Sequence, residues 1–135
     1  MDYKQLAAEA LIARERSYAP YSGFRVGAAL LCEDGSVYRG CNIENAAFSP
    51  TVCAERVAIF KAVADGKRAF TAIAVVGGRE KVETATPCGV CRQVLAEFCG
   101  GDFAVILVND ERGSYTETTL SALLPCAFGA GNLAE

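Results

Sequence analysis

Thr71-Ala72-Ile73-Ala74-Val75-Val76 is an apolar run with no polar alternation. Such a run reads as a strand buried on both faces, with layers above and below it. Phe103-Ala104-Val105-Ile106-Leu107-Val108 repeats the pattern. Between the two lies a helical segment that opens at Cys88, runs to about Cys99 and stops at Gly100-Gly101. Upstream, strands over 26–32 and 37–41 flank Glu33-Asp34-Gly35-Ser36, a hairpin turn with Asp-Gly at its centre. A helix over residues 3–16 comes first. Asp2 caps it, Leu6, Ala10, Leu11 and Ala13 share one face, and charge lies on the other. Another helix opens at Cys53 and closes at Gly66. A short strand over 114–117 and a short helix over 119–124, ended by Pro125, complete the pattern, and residues 129–135 are expected to be loosely held. Strands alternating with helices imply a sheet covered on both faces, and the opening hairpin makes that sheet mixed. The expected fold class is therefore α/β, a three-layer α-β-α sandwich around a mixed five-stranded sheet, in one domain spanning 1–135.

Composition narrows the function. The 135 residues are 52% hydrophobic, rich for a small chain, so some apolar surface is expected to be buried between subunits. Net charge is -3 and the basic residues are scattered, which argues against long nucleic acid as a partner. No apolar run reaches the roughly 18–20 residues of a membrane span, and the N-terminal stretch lacks a signal-peptide pattern. Seven cysteines without an export signal imply a reducing, cytoplasmic setting. Cys32, Cys41, Cys99 and Cys126 are expected to pack as small buried apolar residues. Histidine is absent, so cysteines and carboxylates must supply the acid/base and metal chemistry.

Those groups occur in two clusters, Cys53-Ala54-Glu55 and Pro87-Cys88-Gly89-Val90-Cys91. Both stand at predicted helix starts, where free N–H groups and the positive dipole end favour thiolates. Cys88 and Cys91 are three apart and share a helix face. Three thiols bind one zinc ion and leave a tetrahedral position open, the mark of a catalytic rather than a structural site. Glu55, two residues past Cys53, points away from the metal and suits proton handling beside it. Three thiolates outweigh the dication, and Arg56 is placed to offset the excess. A lone C-x-x-C would fit a redox pair, and a structural zinc knuckle would need a fourth ligand, for which no paired cysteine or histidine lies nearby. Asn42 and Glu44, in the polar connection between 42 and 52, are candidates for substrate contact or for turn formation.

With these motifs the chain resembles the cytidine deaminases of the small homotetrameric kind whose zinc ligands are all cysteine. The likeness runs nearly end to end. It includes Tyr18-Ala19-Pro20-Tyr21-Ser22, Phe24-Arg25-Val26-Gly27-Ala28-Ala29, Gly40-Cys41-Asn42-Ile43-Glu44-Asn45-Ala46 and Leu123-Leu124-Pro125-Cys126-Ala127-Phe128. The resemblance implies hydrolytic deamination of cytidine and deoxycytidine in pyrimidine salvage, with one zinc per subunit on Cys53, Cys88 and Cys91. It implies Glu55 as the proton shuttle and Asn42 and Glu44 on the ribose 3′-hydroxyl. Phe24 would stack on the base, Phe128 of a neighbouring subunit would help it, and the backbone around Ala54 and Pro87 would meet the base edge. Arg56 and Gln93 would hydrogen-bond the thiolates. Two positions depart from the family pattern: Phe48 stands where tyrosine is frequent, and Cys126 where a small non-cysteine residue is common. The related blasticidin S deaminases carry similar zinc motifs and form the alternative reading. The Asn42-Ile43-Glu44-Asn45 run and Phe128 favour the nucleoside enzyme.

Overall fold

The structure is a computed structural model that describes residues 1–134. Helix α1 (Tyr3–Arg14) begins with a reciprocal cap: Asp2 Oδ1 accepts from the Gln5 amide at 2.8 Å while Gln5 Oε1 accepts from the Asp2 amide at 3.0 Å. Strands β1 (Gly27–Cys32) and β2 (Val37–Cys41) pair antiparallel around the predicted turn, with Gly35 at φ 90°. After α2 (Ala54–Ala64), β3 (Phe70–Val76) pairs antiparallel with β1. After α3 (Gly89–Phe98), β4 (Ala104–Val108) runs parallel to β3, and β5 (Tyr115–Thr119) closes the far edge antiparallel. The strand order is β2-β1-β3-β4-β5, the expected mixed five-stranded sheet. A short helix α4 (Leu120–Leu123) follows.

Because side chains alternate across a strand, the sheet feeds two separate cores. Ala29, Leu31, Ala74, Val76 and Ile106 pack against Leu6, Ala7 and Ala10 of α1. Ala28, Leu30, Ile73, Val75 and Val105 pack on the opposite side against Ala58, Ile59 and Leu95 of α2 and α3. The helices sit very close to the sheet. A Cβ on Gly27 would lie 2.2 Å from the Ala10 carbonyl oxygen, and one on Gly40 would lie 2.2 Å from that of Ala54. Only glycine permits this approach in either layer.

Several expectations are corrected. Charge is not confined to the outer face of α1, because Arg14 is 4% exposed. Its Nη2 donates to the carbonyls of Gly78 (2.8 Å) and Arg79 (2.6 Å), so burial is compensated by bonds 64 and 65 residues away. Cys32 is buried and Cys41 and Cys99 are partly so, but Cys126 is exposed. It sits at φ 54° in the segment after Pro125, where the chain turns out over the surface. The tail is more regular than expected. Ala130–Asn132 form a 3-10 turn in which Asn132 Oδ1 accepts from the Gly129 amide at 2.9 Å, while Glu135 lies outside the described residues.

Candidate active site

The two cysteine clusters meet because α2 and α3 start side by side on one face of the sheet. Cys53 is the N-cap of α2 and Cys88 the N-cap of α3, both in extended backbone. The sulfurs of Cys53, Cys88 and Cys91 all lie within 4.8 Å of one another. Cys53 Sγ and Cys88 Sγ are 3.7 Å apart, and Cys88 Sγ and Cys91 Sγ 3.4 Å. Ligands at the usual zinc–thiolate distance of about 2.3 Å, placed tetrahedrally, stand about 3.8 Å apart. The donor set therefore fits zinc. No fourth His, Cys, Asp or Glu joins the cluster among the described residues.

Electrostatics agree with a cation site. Cys53 is drawn down to about 5, chiefly by a hydrogen bond from the Cys91 thiol and, against the opposing effect of burial, by Arg56 and Cys88. Cys91 moves upward, first through that same bond to Cys53 and then through burial and the Glu55 charge. Cys53 is thus the thiol most readily ionised in the cluster. A dication would release the remaining protons and hold all three thiolates. Arg56 Nη2 donates to Cys53 Sγ at 3.3 Å, as its position one turn from the cap allows.

Glu55 is 3% exposed, and its Oε1 is buried without a hydrogen-bond partner. Burial is the main reason its carboxyl rises from 4.5 to about 7; the neighbouring Cys53 charge adds to the rise. An orphaned carboxylate oxygen in a native interior calls for a ligand or water. A cleft of about 260 Å³ supplies the space, lined among others by Phe24, Asn42, Glu44, Cys53, Glu55 and Cys88.

Loops 17–26 and 42–52 build the mouth of this cleft. Ile43 bridges to both Tyr18 and Val52, knitting the two loops together. Asn42 Oδ1 accepts from the Val26 amide and its Nδ2 donates to the Phe24 carbonyl, each at 2.8 Å. Glu44 accepts from the amides of Tyr21 (2.9 Å) and Ser22 (3.2 Å) and from the Ser22 hydroxyl. The hydroxyl bond, more than the amides, lowers the Glu44 carboxyl. Both side chains therefore shape the loops and also border the cleft. Ser22, quoted in a motif but given no role from the sequence, links Glu44 to the Phe24 amide through its Oγ (2.9 Å to the amide). Its place two residues before Phe24 is an ST-turn signal.

Ala54 is fully buried in the first turn of α2, and Pro87 lies buried just before Cys88. Two residues stand elsewhere. Gln93 Nε2 donates to the Phe128 carbonyl at 2.8 Å, and no hydrogen bond from it to a thiol is present among the described residues. Phe128 is 59% exposed and lines a separate apolar cavity of about 650 Å³ beside Cys99 and Cys126, rather than the cleft of its own chain.

A zinc-dependent enzyme is the class this fold and donor set define. Residues 1–108 match the cytidine and deoxycytidylate deaminase zinc-binding region. The chain is similar to a cytidine deaminase of Sporosarcina psychrophila, 56% identical over 133 residues, covering 98% of this chain and 96% of that protein. A crystal structure of cytidine deaminase from Burkholderia pseudomallei superposes with a TM-score of 0.87 at 46% identity, covering 95% of this chain and all of that one. A blasticidin-S deaminase of Bacillus cereus is more distant, 30% identical over 109 residues and covering 76% of either chain. The chain belongs to the cytidine and deoxycytidylate deaminase family, and zinc is its cofactor.

Proposed function

We propose that this protein is a cytidine deaminase that converts cytidine and deoxycytidine, with water, to uridine and deoxyuridine plus ammonia, in pyrimidine salvage. The observation that carries this reading is the unpartnered, buried oxygen of Glu55 in the same cleft as Cys53 and Cys88. Held by Cys53, Cys88 and Cys91, zinc supplies a Lewis acid that brings the acidity of water near neutral pH. Glu55 takes a proton from the attacking water and gives it to N3 of the base as the C4–O bond forms. It then relays a second proton to the exocyclic nitrogen, the C4–N bond breaks and ammonia leaves. A carboxyl raised toward neutrality by burial can both accept and return a proton at working pH.

Phe24 stacks on the base, Asn42 and Glu44 hold the ribose 3′-hydroxyl, and the backbone around Ala54 and Pro87 meets the base edge. Arg56 steadies the thiolates. Glu44 is held ionised at the cleft mouth and would repel a phosphate, which favours nucleosides over nucleotides. The active unit is a homotetramer in the cytoplasm, with sites shared between subunits. Two features support sharing: Phe128 is exposed away from its own cleft, and Phe48 is 74% exposed at φ 60° beside the cleft loops.

The test is the ultraviolet absorbance of cytidine with the zinc-loaded protein. A steady change to the uridine spectrum, lost in Glu55→Gln at full zinc content, is expected. No change with cytidine but turnover of blasticidin S would replace the reading with its distant relative's activity. Efficient turnover of cytidine monophosphate would refute the nucleoside preference.

A further inference from the structure

Resting on the assignment of Phe24 as the stacking residue, we infer that Arg79 is a positioning residue for the base: its guanidinium packs over the Phe24 ring and holds it for stacking. The Arg79 Cζ lies 5.7 Å from the Phe24 ring centroid, within cation–π range. Phe24 lines the cleft and Arg79 is not among the residues lining it, so Arg79 would act on the base through Phe24.

The mount for this guanidinium is unusually well braced for an exposed side chain. Gly77 and Glu83 bridge to each other and close a turn over residues 77–83. Gly78, at φ 115°, sits so close to Lys81 that a Cβ would meet its carbonyl oxygen at 1.9 Å. The carbonyl of Gly78 accepts from the Arg25 amide at 3.0 Å and from the buried Arg14, and the carbonyl of Arg79 accepts from Arg14 as well. Arg79 Nε donates in turn to the Ser22 carbonyl at 3.2 Å, tying the turn to the loop that carries Phe24. Gly77 lies against the ring edge, where a Cβ would come to about 3.0 Å from Phe24 Cε1 and Cζ. Phe24 is thus held at its edge by Gly77 and over a face by Arg79. A ring fixed before substrate arrives loses less rotamer freedom on stacking, and that saving appears in binding rather than in chemistry.

The experiment compares Arg79→Ala, Arg79→Lys and Arg79→Gln in the zinc-loaded protein, by cytidine kinetics and by calorimetric binding of the product uridine. Arg79→Ala should raise both the KM for cytidine and the Kd for uridine by about 2–5-fold, with kcat, zinc content and Tm unchanged. Arg79→Lys should recover part of the loss because an ammonium can still face the ring, and Arg79→Gln should not. In a Phe24→Leu background, Arg79→Ala should add nothing. A parental Kd for uridine in Arg79→Ala, or an equal rise in the Phe24→Leu background, would overturn the inference while leaving the deaminase reading intact. A parent protein that neither deaminates cytidine nor binds uridine would instead overturn the deaminase reading, and the inference with it.

Discussion

Helix α1 begins quite differently from α2 and α3. At α1, Asp2 and Gln5 cap each other, and each satisfies a backbone N–H that the helix cannot. At α2, Cys53 holds the cap position and makes no side-chain cap bond; at α3, Cys88 offers only its sulfur, 3.5 Å from the Cys91 amide. A thiol is a poor cap but a good ligand. One layer of the sandwich is finished for stability, while the other leaves its helix ends incompletely capped and collects their positive dipoles around three sulfurs. The unpartnered Glu55 Oε1 and Arg56 Nε lie on the incompletely capped side, and the unpartnered Arg14 Nε lies on α1. The incomplete caps are thus found where the chemistry is.

The contrast can be broken most sharply at Glu55. Glu55→Gln should lower turnover by at least about 10²–10⁴-fold while zinc, measured by metal analysis, stays at one per chain. The paired glycines come next. Gly40→Ala and Gly27→Ala both drive a Cβ into helix backbone, and each should cost about 1–3 kcal/mol in denaturant unfolding. Gly40→Ala displaces the turn that begins at Cys53, so it should also weaken zinc retention against a chelator, whereas Gly27→Ala should not. Asp2→Ala removes the α1 cap and should cost about 1 kcal/mol with kcat/KM unchanged. The smallest effect is expected at Asp34, whose carboxylate is held well below its ordinary 3.8, chiefly by a hydrogen bond from Lys67. A lowered native value gives stability that is present above pH 3.8 and lost as pH falls through the native value. Asp34→Asn should therefore reduce Tm slightly at neutral pH, with the difference from the parent closing below about pH 4.

The element order could be read from the chain because apolar runs, glycine stops and the Asp-Gly turn are local signals, and their order survived folding with ends moved by one or two residues. The meeting of Cys53 with Cys88 and Cys91 was readable too, since each cluster opens a helix and helices on one face of a sheet can start together. Contacts formed across the fold were not. Arg14 looks like a solvated arginine until the 77–83 turn is folded beneath it, and nothing near position 14 announces a partner 64 residues away. Gln93 could be placed on α3, but its bond to the Phe128 carbonyl could not be foreseen, because that carbonyl comes from the returning tail. Ser22 stood in a quoted motif without a role, because its hydroxyl meets the Glu44 carboxylate and the Phe24 amide together only once the loops are closed.

The incomplete caps have a consequence for how the molecule breathes. Without zinc, the starts of α2 and α3 lose the cation their thiolates face and keep only Arg56 and neighbouring thiols as partners, so local opening of those turns is expected to increase. Deuterium uptake at the first turns of α2 and α3 then acts as a gauge of metal occupancy, with the self-capped start of α1 as a reference inside the same chain.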